Sequence, residues 1–146
     1  MMMRVVVMVV LLLLSSCVVR AQAPPCTDAD ASRAFDESDS FRNWDALHQS
    51  YKRYRQCDDG AAAEGYSESV ARILADHWET LSRFAELSRQ DSGFRRFVLN
   101  HIDATLNTDD LHKIESSAAT RCTVNLRKVC ADVRAAASAA IEESSR

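Results

Sequence analysis

The residues of this chain whose side chains could do chemistry are its cysteines, its histidines and several paired aspartates. The cysteines are Cys17, Cys26, Cys57, Cys122 and Cys130. Structural zinc sites use cysteines that are only a few residues apart, and no CxxC pair occurs in this sequence. The cysteine spacing therefore indicates disulfide formation rather than metal binding.

Two Asp-x-x-His pairs, Asp45 with His48 and Asp109 with His112, have a spacing similar to the Glu-x-x-His motif of di-metal helix bundles. The likeness is superficial, because the acid is shortened to aspartate and inward-facing glutamates on partner helices are missing. His112 also falls on the polar side of its helix, where we expect it to be solvated. We predict that the chain binds no metal ion and no cofactor.

Nucleophilic catalysis has little support in the sequence. There is no G-x-S-x-G elbow, and three isolated glycines cannot form a phosphate-binding loop. Pairing of the cysteines leaves no reactive thiol. The aspartates of the pairs Asp58-Asp59 and Asp109-Asp110 stand where helices begin, so that capping explains them without catalysis. The sequence predicts a protein that is not an enzyme.

His77 and His101 each lie in the middle of an apolar helical stripe, whereas His48 lies at the margin of its stripe. Such a histidine points into the core or into a groove between helices. One interpretation is a buried neutral imidazole that is hydrogen-bonded to a tyrosine, a threonine or a carbonyl. The other is a small polar site formed by His77, His101 and Tyr66.

Residues 1–21 have the pattern of a secretory signal peptide. Arg4 supplies the positive charge, residues 5–14 form an unbroken apolar run, and small and polar residues follow. Even when it is counted through Val19, the apolar stretch is shorter than the roughly 20 residues needed to span a bilayer. The sequence therefore predicts an exported protein.

Two processing routes remain open for this leader. Cleavage after Ala21 would release a chain that begins at Gln22. Alternatively, Leu14-Ser15-Ser16-Cys17 resembles the lipobox of bacterial lipoproteins, in which Cys17 would be acylated and would anchor the chain to a membrane. Both routes export the remaining residues.

Either route removes or caps the fifth cysteine and leaves four, which in a small exported domain form two disulfides with three possible connectivities. On one straight helix the Cα atoms of Cys122 and Cys130 would be about 12 Å apart, beyond disulfide reach. Their pairing therefore needs a helical corner, which residues 123–125 can supply. We favour Cys26–Cys57 together with Cys122–Cys130. The first bond requires that the first helical region bends back.

The charge of the exported chain restricts its partners. Without Arg4 and Arg20 the chain has 16 basic and 21 acidic residues, a net charge of −5. This balance argues against nucleic acid and anionic membrane surfaces as partners, and it is compatible with a basic protein. We expect no membrane contact unless Cys17 is lipidated.

The composition predicts an all-α fold. The two prolines are adjacent, at Pro24 and Pro25, only three glycines occur, and no segment alternates apolar and polar residues with the strand period. Apolar residues at helical spacing define five segments, at residues 27–56, 61–89, 94–102, 107–122 and 126–141. The first is long enough to be two helices with a break near residues 38–40.

The predicted architecture is a compact bundle of about five helices that is stapled by two disulfides. In this interpretation residues 1–21 are the signal peptide, residues 22–27 are an N-terminal linker, and residues 28–143 are a single helical domain.

One stretch has a distinctive sequence that the overall composition does not explain: CDDGAAAEGYSESVARILADHW, residues 57–78. Together with the later HIDAT, residues 101–105, and the closing Cys122 and Cys130, it resembles a family of small exported helical proteins of Gram-negative bacteria. That family is similar to the Tai/Rap-type immunity proteins of type VI secretion systems, which bind and block peptidoglycan-cleaving amidase effectors in the periplasm. The resemblance implies a periplasmic location and a protein partner, and it transfers no effector-binding residue to this chain.

These observations predict a periplasmic protein-binding module of unassigned partner, or more narrowly an immunity protein that blocks a cell-wall-degrading effector. The candidate partner-binding residues are the exposed acids Asp58, Asp59, Asp109 and Asp110, on a loop or helix end that enters the partner's cleft. The alternative is a non-catalytic envelope protein with a structural or stress-related role.

Overall fold

The computed structural model describes residues 24–146. The predicted signal peptide with Cys17, and the first two residues of the predicted linker, lie outside the described residues. The described part contains helices and no strand, which confirms the all-α class. The α-helices are α1 (Asp28–Ser38), α2 (Trp44–Tyr54), α3 (Gly60–Asp76), α4 (Leu81–Gln90), α5 (Ser92–Asn100), α6 (Thr108–Thr120) and α7 (Arg127–Ser144). Short 3₁₀ turns occur at Arg55–Cys57, Trp78–Thr80 and Val124–Leu126.

The predicted number of five helices is wrong, because residues 24–146 form seven. The first predicted segment breaks after Ser38, where a break was expected. The second breaks at His77, whose backbone leaves the helical region at φ −128° and ψ 42°. The Thr80 hydroxyl donates to the His77 carbonyl over 2.7 Å and accepts from Trp44 Nε1 over 3.0 Å. The apolar periodicity continues across this break because α3 and α4 contribute to the same core.

Side chains cap five of the seven α-helix starts in residues 24–146, of which capping was expected at Asp58-Asp59 and at Asp109-Asp110. The capping side chains, each of which accepts a backbone N–H, belong to Thr27, Asn43, Asp59, Asp91 and Asn107. Gly60 follows Asp59 with φ +51°, in the left-handed region that disfavours other residues. The loop after α2 therefore turns sharply into α3.

The core is built on aromatic side chains that come from four helices. Trp44, Tyr66, Phe84 and Phe94 are fully buried. Trp44 stacks on Phe84 with ring centroids 4.8 Å apart. The largest helix–helix interface joins α6 to α7, and α3 packs against both α1 and α6. Small side chains in α7, among them the buried Ala137, allow the close approach of α6.

The turn between α1 and α2 is clamped to α3. Ser69 Oγ donates to the Ser38 carbonyl over 2.6 Å and accepts from the Phe41 N–H over 3.1 Å. A Cβ at Gly65 would lie 2.0 Å from Ser38 Oγ, so that only glycine allows α1 to approach this closely. α1 is therefore held on α3 by both packing and hydrogen bonds.

The structure contains the favoured disulfide connectivity. Cys26–Cys57 joins the residues before α1 to the end of the turn after α2, with Cα atoms 5.1 Å apart. Cys122–Cys130 crosses the corner between α6 and α7, with Cα atoms 6.1 Å apart. The predicted corner at residues 123–125 is thereby confirmed. Two disulfides in one small domain indicate an oxidising compartment.

None of the helices in residues 24–146 is both long and apolar enough to cross a bilayer.

Candidate functional site

A chain of polar side chains joins three parts of the fold around His101, which caps the C-terminus of α5. His101 Nε2 lies 3.2 Å from a carboxylate oxygen of Asp58, in the loop before α3. His101 Nδ1 lies 2.9 Å from Ser67 Oγ on α3, and Ser67 Oγ lies 2.9 Å from a carboxylate oxygen of Asp103, in the loop after α5. The Thr105 N–H and hydroxyl both donate to the other oxygen of Asp103. We call Asp58, Ser67, His101 and Asp103 the His101 cluster.

The ends of the His101 cluster are both carboxylates, so its three hydrogen bonds need three protons. Ser67 supplies one proton to Asp103, and an imidazole with one N–H supplies only one of the other two. Which of these two bonds a neutral ring makes depends on its tautomer.

The cluster contains a serine, a histidine and aspartates, but its geometry does not suit a nucleophile. Ser67 is only 3% exposed, whereas an attacking hydroxyl must meet a substrate. Its oxygen is also shared between His101 and Asp103. The hydrogen bonds of the His101 cluster instead hold the loops before α3 and after α5 against the middle of α3.

The electrostatics of the cluster favour an ionised Asp103. Burial raises the pKa of Asp103, but hydrogen bonds from Thr105 and Ser67 and the charge of His101 more than offset this effect. The pKa of Asp103 therefore lies below its ordinary value.

The predicted polar site of three residues is formed only in part. The rings of Tyr66 and His101 are neighbours, with centroids 5.9 Å apart. The Tyr66 hydroxyl, however, is hydrogen-bonded to Ser50 Oγ over 2.9 Å. Burial raises the pKa of Tyr66, and the hydrogen bond with Ser50 opposes this shift.

His77 does not point into the core, and the prediction that it joins Tyr66 and His101 is wrong. The helix ends at His77, so the periodicity that placed it on the apolar face no longer applies. Its side chain is 45% exposed, and its Nδ1 lies 3.5 Å from a carboxylate oxygen of Glu79.

His48 is a buried polar residue that the sequence analysis placed only at the margin of its stripe. Its Nε2 lies 3.1 Å from Asp91 Oδ2, while Asp91 Oδ1 accepts from the Phe94 N–H at the start of α5. Burial raises the pKa of Asp91, but these hydrogen bonds and the charge of His48 leave it below its ordinary value. Asp91 stands before a helix start in the sequence, which marks it as a capping residue. No residue near it in the sequence indicates that His48 is its partner.

The candidate partner-binding acids stand at two helix starts. Asp58 belongs to the His101 cluster, and Asp59 caps α3. Asp109 and Asp110 lie in the first turn of α6, where they face the positive end of the helix dipole. Asp110 also accepts a hydrogen bond from Lys113 over 3.0 Å.

An exposed aromatic side chain stands beside Asp59. Phe35, on α1, is 55% exposed and separates two shallow grooves. The groove on one side has a volume of about 410 Å³ and includes the Cys26–Cys57 disulfide and Asp59. The groove on the other side has a volume of about 470 Å³ and runs between α1 and α3. Nothing in the sequence distinguishes Phe35, because single apolar residues on polar helix faces are common.

Carboxylates surround this phenylalanine. We use the name acidic face for Phe35 together with the exposed acids that line its two grooves, namely Asp36, Asp39, Asp59, Glu64 and Glu68. No lysine or arginine of the described residues lines either groove. Glu64 also lines a smaller cleft of about 280 Å³ that is open to the His101 cluster, so that the acidic face and the cluster adjoin.

Within residues 24–146, no three histidine, cysteine or acidic side chains are placed so that they could hold a metal ion together. No family model, curated protein or solved structure matches this chain.

Proposed function

We propose that this chain is an exported, periplasmic protein-binding module whose acidic face binds a basic partner protein. On the resemblance of residues 57–78 to immunity proteins, we propose more narrowly that the partner is a cell-wall-degrading effector, which the complex blocks. The observation that carries the proposal is the exposure of Phe35 in the middle of five carboxylates.

The apolar part of the binding energy comes from Phe35. Large aromatic side chains are the residues that most often dominate protein interfaces, and they do so when charged or polar groups surround them. The ring is 55% exposed, so burying the rest of it against a partner contributes about 2 kcal/mol.

The carboxylates of the acidic face select the partner's charge. Five acids line the two grooves, and the arginines Arg42 and Arg72 reach them only at the Asp39 carbonyl, at one edge, so the local potential is negative on balance. Such a potential accelerates encounter with a basic surface and repels an acidic one. The net charge of −5 acts in the same direction.

The face is preorganised, so binding loses little conformational entropy. The Cys26–Cys57 disulfide fixes the chain before α1 to the loop before α3. The close contact at Gly65 and the hydrogen bonds of Ser69 hold α1 on α3. A rigid face of this kind suits tight inhibition of an enzyme.

The experiment first determines whether a cell-wall hydrolase is encoded beside this gene, and then measures complex formation with it or with other basic envelope proteins. Wild-type protein, Phe35→Ala and Val124→Ala are compared by calorimetry. Val124 is the matched control, because it is also a large apolar residue, is 74% exposed and lies away from the acidic face. We expect Phe35→Ala to weaken binding about 30-fold, the equivalent of about 2 kcal/mol, and Val124→Ala to leave it unchanged.

A charge-reversal variant tests the contribution of the carboxylates independently of Phe35. Glu68→Lys should weaken the complex, and added salt should reduce the difference between this variant and wild type. A hydrolase complex that is indifferent to Phe35→Ala and Glu68→Lys would refute the acidic face as the interface. If no hydrolase or other basic envelope protein binds, the non-catalytic structural or stress-related role becomes the better interpretation.

A further inference from the structure

A second surface feature has the opposite charge and shares no residue with the acidic face. A pocket of about 290 Å³ lies where the end of α4, the start of α5 and the start of α7 meet. Its polar lining consists of two arginines, one lysine and two serines: Arg89, Arg95, Lys128, Ser88 and Ser92. Cationic side chains from three helices therefore converge on one cavity.

The pocket has an excess of positive charge. Arg95 is paired with Asp132. Arg89 and Lys128 have no carboxylate within salt-bridge distance among residues 24–146. Three cations against one carboxylate leave a net local charge of about +2, which matches the charge that a phosphate group carries near neutral pH.

A buried hydroxyl in the pocket lining lacks a partner. Ser88 is only 8% exposed, and its Oγ makes no hydrogen bond to any other described group. Among the described residues, it is the only buried side-chain nitrogen or oxygen atom without a hydrogen-bond partner. Buried hydroxyls are almost always paired, and one that is not costs about 1–3 kcal/mol. An acceptor that enters the pocket would remove this cost.

We propose that this pocket binds a phosphate group, with Arg89, Arg95 and Lys128 as its cationic contacts and Ser88 as a hydroxyl donor. A tetrahedral group with several acceptor oxygens can meet donors from three helices at once, whereas a carboxylate offers two oxygens and one charge. The phosphate can be free or can belong to a lipid headgroup that is a phosphate monoester, as in phosphatidic acid, because a monoester has three non-bridging oxygens and a second ionisation near neutral pH.

The test uses the disulfide-bonded protein and inorganic phosphate at constant ionic strength, with chloride and acetate as comparison anions. We expect phosphate to raise the unfolding temperature and to bind measurably by calorimetry, and acetate to do so at least tenfold more weakly. Equal effects of acetate and phosphate would overturn the assignment to phosphate. An absence of binding in both the phosphate and the vesicle experiments would overturn the site.

Three variants locate the binding. Arg89→Gln/Lys128→Gln should reduce phosphate affinity at least tenfold. Arg134→Gln removes an exposed cation of α7 outside the pocket and should leave the affinity unchanged. Losses of equal size per charge removed would show that phosphate responds only to net charge and would overturn the proposal.

Ser88→Ala has a double signature that a merely structural serine would not give. Without phosphate the variant should be at least as stable as wild type, because it removes an unpaired buried hydroxyl. With phosphate its affinity should fall about fivefold or more. An affinity equal to that of wild type would remove Ser88 from the site and contradict the proposal as stated.

Vesicles distinguish the two sources of phosphate. Vesicles of phosphatidic acid in phosphatidylcholine are compared with vesicles of phosphatidylglycerol in phosphatidylcholine. Wild-type protein and the Arg89→Gln/Lys128→Gln variant are tested with both kinds of vesicle. Binding to phosphatidic acid that is stronger than binding to phosphatidylglycerol and that this variant loses identifies a lipid headgroup as a ligand. Binding of free phosphate without vesicle binding identifies a soluble phosphate.

Discussion

The two disulfides close loops of very different length, and this difference predicts how much each contributes to stability. Cys26 and Cys57 are 31 residues apart, whereas Cys122 and Cys130 are 8 apart. In the chain-entropy model the longer loop contributes about 3.7 kcal/mol at 25 °C and the shorter about 2.5 kcal/mol. Removal of the first bond should therefore cost about 1.2 kcal/mol more than removal of the second.

The comparison is well matched, because each pair has one deeply buried cysteine. Cys57 is 5% exposed and Cys130 is 3% exposed, so that the packing lost on substitution by alanine is similar. We expect Cys26→Ala/Cys57→Ala to lower the free energy of unfolding more than Cys122→Ala/Cys130→Ala does. Guanidinium unfolding monitored by circular dichroism measures both values.

The dependence of unfolding free energy on denaturant provides the control. Removal of a crosslink lets the unfolded chain expand, so the denaturant slope should rise in both variants and more in the one that opens the longer loop. Equal losses of stability, or a larger loss for the eight-residue loop, would refute the entropic reasoning. The stability of this domain would then depend mainly on the local geometry of the α6–α7 corner.

Three further predictions concern packing, a buried hydrogen bond and acid stability. Gly65→Ala should cost about 1–3 kcal/mol, because its methyl group meets Ser38 and backbone at the end of α1. Gly93→Ala should cost less, because its methyl group meets only side-chain atoms, of Tyr51 and Asp91. Guanidinium unfolding tests both, and equal costs would contradict the packing argument. Tyr66→Phe should lower the free energy of unfolding by about 1–2 kcal/mol, because it leaves the buried Ser50 hydroxyl without a partner. In the same assay, the double variant Tyr66→Phe/Ser50→Ala should recover part of that loss. The pKa of Asp103 is lower in the folded state than its unfolded value of about 3.9, so its ionisation stabilises the fold above that pH. This stability is lost as the pH falls through the lower folded value. Wild type should therefore lose more free energy of unfolding than Asp103→Asn does between about pH 5 and pH 2. Parallel acid titration curves would contradict this sign.

The features that the sequence predicted correctly depend on local chemistry. The expected cap at Asp59 follows from a side chain that bonds to its own helix start, whereas at α6 the cap is Asn107 and the expected Asp109 and Asp110 lie in the first turn. The corner between Cys122 and Cys130 follows from the length of eight residues of helix. Each of these inferences needs only a few neighbouring residues, so the rest of the fold cannot overturn it.

The features that the sequence did not predict depend on contacts between distant residues. The helix break at His77 involves a hydrogen bond between Trp44 and Thr80, which are 36 positions apart. Periodicity cannot detect it, because the apolar pattern is the same on both sides of the break. The His101 cluster likewise joins Asp58 to a histidine 43 positions later, and only the packing of α3 against the α5–α6 loop brings them together.

The polar interior of this domain indicates where its function lies. His48, His101, Ser67 and Tyr66 are buried, and each is hydrogen-bonded to another element of the fold. A group that is fully occupied in this way positions loops and is not free to act on a substrate. The exceptions are an exposed aromatic ring among carboxylates and an unpaired hydroxyl beside a cationic pocket. Both exceptions lack a partner among residues 24–146 and offer a contact to another molecule, which is why we propose a binding function for this domain.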